Sequence, residues 1–176
     1  TVFGKGIANG MPLAAITGKR KYMKKFNDIF YSTTYGGETL SLAASMAVIN
    51  EIKTKPVIKH CWKLGEELIS KFNKLTNEVG VKIKMEGIPV RSSIVCRDIN
   101  NNPSLLIKSL FYQEMIKRGI LLGPGYVFLS YSHSQKDIKK TLEAVEKSLK
   151  IVKKAIDTKT VKKSLNGKIM KSVMTF

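Results

Sequence analysis

The segment Thr1-Val2-Phe3-Gly4-Lys5-Gly6-Ile7-Ala8-Asn9-Gly10-Met11-Pro12 places a lysine between an apolar pair and a glycine-rich turn. Val2 and Phe3 are typical of the end of a buried strand, so the pattern predicts that Lys5 is partly removed from water. Desolvation disfavours the ammonium form and makes the amine a better nucleophile toward a carbonyl. A lysine that forms a Schiff base needs this combination. Most lysines are solvated surface charges, and this segment alone leaves both interpretations open.

A second motif, Ser32-Thr33-Thr34-Tyr35-Gly36-Gly37-Glu38, is followed by small and apolar residues. Taken with Phe3–Ala15, it resembles the cofactor-lysine and phosphate-binding segments of class III (fold-type I) pyridoxal-phosphate aminotransferases. The later stretch 129–137, Leu-Ser-Tyr-Ser-His-Ser-Gln-Lys-Asp, is similar to the end of the glutamate-1-semialdehyde aminomutase branch. The resemblance spans essentially the whole chain.

The resemblance implies an α/β chain with the fold of a fold-type I transferase that depends on pyridoxal phosphate. Residues 1–55 are then the end of the large mixed-sheet domain that binds the cofactor, and residues 56–176 are a small C-terminal α+β domain. Because Thr1 lies in what reads as the middle of a strand, we interpret the chain as the C-terminal part of a longer polypeptide.

By this resemblance, Lys5 is the catalytic residue and forms the Schiff base with pyridoxal 5'-phosphate. Thr34, rather than Thr33, binds the cofactor phosphate across a dimer interface. Glu38-Thr39 stands where the family often has Asn-Pro, which points away from the ornithine-type branch. The two glycines before the next helix are also expected to leave its first N–H groups free to hold an anion.

The implied function is the transfer of an amino group by an enzyme that acts as a homodimer through its cofactor domain. The partners are a small-molecule amino donor and a carbonyl acceptor. Transfer between molecules and transfer between adjacent carbons of one molecule both stay open. The pyridine-nitrogen aspartate and the phosphate loop of the family would precede Thr1, so the isolated chain is expected to be nearly inactive. Residues 127–132 contain no arginine, which puts the family's usual recognition of dicarboxylates in doubt.

The net charge of +18 raises an alternative, a non-catalytic basic module that binds nucleic acid or an acidic partner. Among the 31 basic residues only Arg20, Arg91, Arg97 and Arg118 are arginines, whereas recognition of bases and phosphates favours arginine. The lysines are also spread along predicted helix faces. We therefore expect no nucleic-acid partner.

Few metal ligands and no long apolar run are present in the sequence. Cys61 and Cys96 are far apart, and His60 and His133 are the only histidines, so neither a disulfide framework nor a metal site is expected. The cysteine content suits a reducing cytoplasm. No apolar run approaches the roughly 18–20 residues that cross a bilayer, so we expect no membrane partner.

Periodicity and capping signals predict the elements. Strands are predicted at 14–17, 81–85, 90–97, 120–122 and 127–131, with a turn at Gly87-Ile88-Pro89. Helices are predicted at 21–26, from Glu38 or Thr39 to Ile52, at 57–79 after Pro56, at 105–117 before Gly119, and from Ser134, with Asp137 completing a capping box. Apolar stripes are predicted on the helix 57–79 at Trp62, Leu64, Leu68, Phe72 and Leu75, and on the last helix at Ile138, Leu142, Val145, Leu149 and Val152. Arg118, His133 and the aromatic residues are interpreted as structural. The segment 29–37 reads as a strand or an extended loop. The residues from Asp157 onward read as a polar surface strap.

Overall fold

The computed structural model describes residues 1–171 of the chain. They form two compact units, Thr1–Val57 and the part from Ile58 onward. Among the described residues, no helix combines the length and the apolar character needed to span a membrane. No group of His, Cys, Asp and Glu side chains in this part of the chain could hold a metal ion.

The first unit consists of short elements joined by turns. Strands β1 (Val2–Phe3) and β2 (Ala15–Ile16) pair antiparallel, and a single 3-10 turn spans Lys5–Ile7. Helix α1 (Arg20–Met23) continues into a 3-10 turn that ends at Asn27. Residues 28–38 then form a loop, and helix α2 spans Thr39–Thr54. This unit therefore has little regular structure before α2.

Helix α2 buries small residues rather than its large apolar ones. Helical spacing places Leu40, Val48 and Ile52 on one face, of which Val48 is half-buried while Leu40 and Ile52 are exposed. Ser41 and Ser45 are the helix residues that are buried. The elements near α2 are short turns, which provide little apolar surface for its larger side chains. The 3-10 turn Lys5–Ile7 is the neighbour with which α2 makes most contact.

The second unit is an antiparallel sheet with three helices. Helix α3 spans Val57–Val79, strand β3 Ile83–Ile88, strand β4 Arg91–Cys96, helix α4 Leu105–Lys117, strand β5 Val127–Phe128 and helix α5 Gln135–Asp157. The sheet order is β3-β4-β5, with each neighbouring pair antiparallel. The predicted bounds of α3 and α4 are confirmed. Strands β3 and β4 are also confirmed, although β3 runs on to Ile88 instead of turning at Gly87.

The core of the second unit lies between the helices and one face of the sheet. Strand β4 points alternate residues inward, as its burial pattern shows. The predicted stripe of α5 is confirmed, since Ile138, Val145, Leu149 and Val152 are buried. In α3 the predicted stripe is correct except for Trp62, which is 42% exposed while the neighbouring Cys61 is buried. The core consists of side chains from every element of this unit, among them Leu64, Leu68, Phe72, Ile83, Met85, Ile94, Leu110, Phe111, Met115, Val127, Val145 and Leu149.

Caps at three helix ends agree with the predicted boundaries. Ser134 and Asp137 form the predicted capping box at the start of α5. The hydroxyl of Ser104 accepts a hydrogen bond from the N–H of Ile107 at the start of α4. Gly119 follows the end of α4 at φ +74°, a conformation that suits glycine after a helix.

Two predictions near the C-terminus need correction. Residues 120–122 form no strand, and the predicted strand 127–131 is reduced to Val127–Phe128, because β5 pairs with only two residues of β4. The segment after α5 is more than a polar strap, since Val161, Leu165 and Met170 pack against the core. Its last part, residues 172–176, lies outside the described residues.

Candidate active site

A cavity in the first unit, which we call the turn cavity, has a volume of about 710 Å³ and contains Thr34 in its wall. The loop before α2 contributes Thr33, Thr34, Tyr35 and Gly36, and the segment before β2 contributes Pro12, Leu13 and Ala14. Aromatic rings form part of the wall, and those of Phe26 and Tyr31 meet edge to face with centroids 5.2 Å apart. Sequence reasoning assigned the aromatic residues no role here. Rings of this kind are indistinguishable from core residues by spacing alone.

The turn that presents Thr34 is tight. The N–H of Gly36 donates to the Thr33 carbonyl at 3.2 Å, and the N–H of Glu38 donates to the Tyr35 carbonyl at 3.3 Å. A Cβ at Gly36 would lie 2.7 Å from the Thr33 hydroxyl oxygen, so a larger residue there would require the Thr33 side chain to move. Within the described residues the Thr34 hydroxyl forms no hydrogen bond, which leaves it free for a ligand.

Lys5 lies apart from the wall of the turn cavity. It begins the 3-10 turn at φ +52°, and Asn9 has φ +47°, so two non-glycine residues adopt left-handed conformations within five positions. Such conformations cost of order 1–3 kcal/mol and occur preferentially at functional sites. Lys5 is exposed.

The predicted desolvation of Lys5 is wrong for the described residues. Val2 is 72% exposed and Phe3 46% exposed, so neither belongs to a buried strand. The physical reason is that β1 pairs with the two-residue strand β2 alone, and no layer within residues 1–171 covers the pair. Any removal of Lys5 from water would have to come from a bound ligand or from another chain segment.

The start of α2 is occupied by a carboxylate of the chain itself. Glu38 accepts hydrogen bonds from the N–H groups of Leu40 at 2.9 Å and Ser41 at 2.6 Å, and also from the Ser41 hydroxyl. The hydroxyl of Ser41, followed by these two N–H groups, holds the pKa of Glu38 below its ordinary value. The expected anion site at this helix start is therefore wrong, since these donors are taken.

Arg118 and His133, which sequence reasoning set aside as structural, make local contacts. Arg118 donates to the Glu114 carboxylate at 2.8 Å and to the Glu114 carbonyl at 2.7 Å. His133 Nδ1 accepts from the N–H of Ser130 at 3.0 Å, and the His133 carbonyl lies 2.8 Å from His60 Nε2. Neither residue belongs to the first unit, which contains Lys5 and Thr34.

Comparison with known families decides the assignment. The family described as "Aminotransferase class-III" matches residues 1–149 of the chain. The chain belongs to the class-III aminotransferase family. Class-III aminotransferases use pyridoxal phosphate. The alternative of a basic binding module has no support in these comparisons.

Curated relatives include members with different reactions. The glutamate-1-semialdehyde 2,1-aminomutase of Alkaliphilus oremlandii (strain OhILAs) is 31% identical over 168 residues, covering 86% of this chain and 38% of the relative. The 3-aminobutyryl-CoA aminotransferase of Cloacimonas acidaminovorans (strain Evry) is 25% identical over 158 residues, covering 89% of this chain and 38% of the relative. The class-III chain thus spans well under half the length of these proteins.

Solved structures show the same fold. The FumI protein of Sphingopyxis sp. MTA144, in its PLP internal aldimine form, superposes with a TM-score of 0.79 at 22% identity. The matched region covers 89% of this chain and 37% of the FumI chain. A transaminase with PLP bound gives a TM-score of 0.77 at 22% identity, covering 89% and 39% of the two chains. This class-III chain therefore has the mixed α/β fold of the fold-type I transaminases.

The first unit offers groups suited to pyridoxal phosphate. A free hydroxyl on a glycine turn is a suitable phosphate ligand, and the turn cavity is within the range of small-molecule sites. The amine of Lys5 is exposed and available to a carbonyl. The carboxylate of Glu38 is an unfavourable charge next to the turn, and its three hydrogen bonds direct it to the helix start.

Proposed function

We propose that this chain is the C-terminal part of a pyridoxal-phosphate aminotransferase or aminomutase. Residues 1–55 would be the end of the large cofactor domain, and residues 56–176 the small C-terminal α+β domain. The family match over residues 1–149 carries the proposal. The division into Thr1–Val57 and a second compact unit supports the two-domain part of it.

Lys5 is the catalytic residue in this proposal. Its amine would hold pyridoxal phosphate through the cofactor aldehyde and, when free, would carry a proton to and from the substrate carbon. The left-handed backbone at Lys5 supports the role, because strain of this kind is retained where a side chain must be aimed. Bound pyridoxal phosphate supplies the ring that takes up electron density from the substrate carbon.

Thr34 binds the cofactor phosphate in this proposal. Its hydroxyl donates to a phosphate oxygen, and the turn that ends at Gly37 keeps the hydroxyl in the wall of the turn cavity. Thr33 also lines the turn cavity, and the preference for Thr34 rests on the resemblance of the Thr34-Tyr35-Gly36-Gly37 turn to the phosphate-binding segment of the family.

The substrates are a small-molecule amino donor and a carbonyl acceptor. The glutamate-1-semialdehyde aminomutases among the relatives favour a transfer within one molecule, and the aminotransferases favour a transfer between two. The chain's residues do not distinguish these reactions. A homodimer formed through the cofactor domain, located in the cytoplasm, completes the proposal.

Reductive labelling of the lysine tests it. The complete polypeptide that carries these residues is incubated with pyridoxal phosphate, reduced with borohydride and digested, and the labelled peptide is identified by mass spectrometry. Label is expected on Lys5 and absent from a Lys5→Arg variant, with Lys24→Arg as the matched control. Label on another lysine, or label scattered over many, would contradict the proposal.

A further inference from the structure

A second cavity, which we call the basic cavity, lies entirely within the second unit. Its volume is about 530 Å³, within the range of small-molecule sites. Among the described residues, the wall contains two lysines and no carboxylate. It consists of Ser93, Leu105, Lys108, Gly123, Pro124, Gly125, Tyr126, Phe128, Met170 and Lys171. In a chain of net charge +18, a lysine without an acidic partner does not by itself indicate a binding site. The arrangement around these lysines is what distinguishes the cavity.

The loop that forms one wall is held rigidly. The buried Tyr112 donates its hydroxyl to the Gly123 carbonyl at 3.0 Å. Burial, and then the neighbouring Cys96, raise the pKa of Tyr112, so the hydroxyl stays protonated as a donor. A Cβ at Gly123 would lie 2.3 Å from the Tyr126 carbonyl oxygen, so the loop closes on itself too tightly for any other residue. The Tyr126 ring itself contacts the ring of Phe128, with centroids 6.0 Å apart.

An arginine is stacked at the rim of this loop. The guanidinium carbon of Arg91 lies 3.7 Å from the centroid of the Tyr126 ring. An arginine held by an aromatic face keeps its in-plane N–H donors free, and these donors suit carboxylate and phosphate oxygens. Within residues 1–171 the side chains of Arg91, Lys108 and Lys171 form no ion pair, whereas lysines on α3 and α5 pair with acids one turn away.

The segment after α5 forms the opposite wall and is fastened to α4 by side chains. Gln113 donates to the Ser164 carbonyl at 3.0 Å and accepts from the Asn166 N–H at 2.7 Å. The N–H of Met170 donates to the Ser109 hydroxyl at 2.8 Å. These bonds place Met170 and Lys171 in the cavity wall, although the segment lies beyond the residues matched by the family.

We propose that the basic cavity binds a small organic oxyanion, a carboxylate or a phosphate monoester, through Arg91, Lys108 and Lys171. Lys108 and Lys171 belong to the wall of the cavity, and Arg91 is held beside it on the Tyr126 ring. An oxyanion in the cavity can thus meet cations that have no acidic partner within residues 1–171. The inference does not depend on the proposed aminotransferase activity, because every residue that carries it belongs to the second unit.

Titration of the complete polypeptide that carries these residues with inorganic phosphate and, separately, with succinate at constant ionic strength tests this site. Backbone amide shifts are followed by ¹H–¹⁵N spectroscopy. Saturable shifts are expected at Gly123, Gly125 and Ser93. Saturation by succinate alone identifies a carboxylate ligand, and saturation by phosphate alone identifies a phosphate ligand. If neither anion gives saturable shifts there, the proposal is overturned.

Substitutions distinguish a specific anion site from the general attraction of anions to a basic protein. Arg91→Met and Lys108→Met are each expected to weaken binding about tenfold or more, the effect of one lost charge-assisted hydrogen bond. Lys147→Met removes the same charge from the exposed face of α5 and should leave the affinity unchanged. Gln113→Ala, which releases the wall segment, should also weaken binding. Equal weakening by Lys147→Met and Lys108→Met would overturn the proposal in favour of diffuse attraction.

Discussion

In the second unit Phe72, Phe111 and Leu149 are fully buried, whereas in the first unit Phe30, Leu40 and Met46 are 96%, 66% and 73% exposed. Ala8 is the one apolar residue of residues 1–57 that is fully buried. The units contain similar kinds of apolar side chain, but only the second covers them with its own elements. The difference shows that an apolar pattern predicts a helix or a strand but does not show which other element will cover its apolar side chains.

Truncation of a large apolar side chain should have the largest effect, and only in the second unit. Phe72→Ala removes a ring that meets Phe111 edge to face at 5.9 Å and should cost about 3–5 kcal/mol of unfolding free energy. Met46→Ala, at an exposed position of α2, should cost less than about 0.5 kcal/mol. Urea denaturation followed by circular dichroism measures both. Similar losses for the two variants would show that the first unit has a core of its own.

The next largest effect is expected from a glycine in α3. Alanine at an exposed helix position stabilises by up to about 1 kcal/mol relative to glycine. At Gly65 a Cβ would lie 2.1 Å from the Pro89 carbonyl oxygen, so Gly65→Ala should instead cost roughly 1–3 kcal/mol. Glu66→Ala, at the neighbouring exposed position, is the control and should be nearly neutral. A stabilised Gly65→Ala variant would mean that α3 and the β3–β4 turn can separate freely.

Thr34 and Thr33 test whether the first unit's turn is functional. Thr34→Val should weaken the binding of pyridoxal phosphate to the complete polypeptide about tenfold, because it removes a hydrogen bond to a charged phosphate. Thr33→Val should weaken it much less, and neither should change stability as Phe72→Ala does. Absorbance titration with pyridoxal phosphate measures the affinities. A larger effect at Thr33 would reverse the assignment.

The smallest effect concerns acid stability of the second unit. The Glu114 side chain is 5% exposed, and this burial would raise its pKa, but hydrogen bonds from Lys117, Arg118 and Gln113 hold it below the ordinary value of 4.5. A lowered pKa in the folded state contributes stability above pH 4.5 that is lost as pH falls through the folded pKa.

Glu114→Gln should therefore be less stable than the parent at pH 7, and the difference should shrink below pH 4.5. Denaturation midpoints at several pH values measure this, with Glu143→Gln on the exposed surface of α5 as the control. An unchanged difference between pH 7 and pH 3 would contradict the assigned role of Glu114.

Sequence reasoning predicted the second unit well where local signals agree with packing. Pro56 and Gly119 mark the boundaries of α3 and α4, and the Ser134–Asp137 capping box marks the start of α5. The strand predicted at residues 120–122 is wrong, because this apolar run has no strand to pair with. In the first unit the sequence did not predict that the Glu38 side chain would accept hydrogen bonds from the first N–H groups of α2, because glutamate is uncommon at a helix N-cap.

The sequence by itself determined the family, the periodic helices of the second unit and the two motifs that contain Lys5 and Thr34, since these depend on residue type and spacing along the chain. Only the tertiary structure decided that Lys5 is exposed, that Thr34 lies in a cavity wall, and that Lys108 and the segment after α5 line a second cavity. The burial of a side chain and the set of residues that line a cavity depend on contacts between residues far apart in the sequence. A local sequence pattern does not determine these contacts.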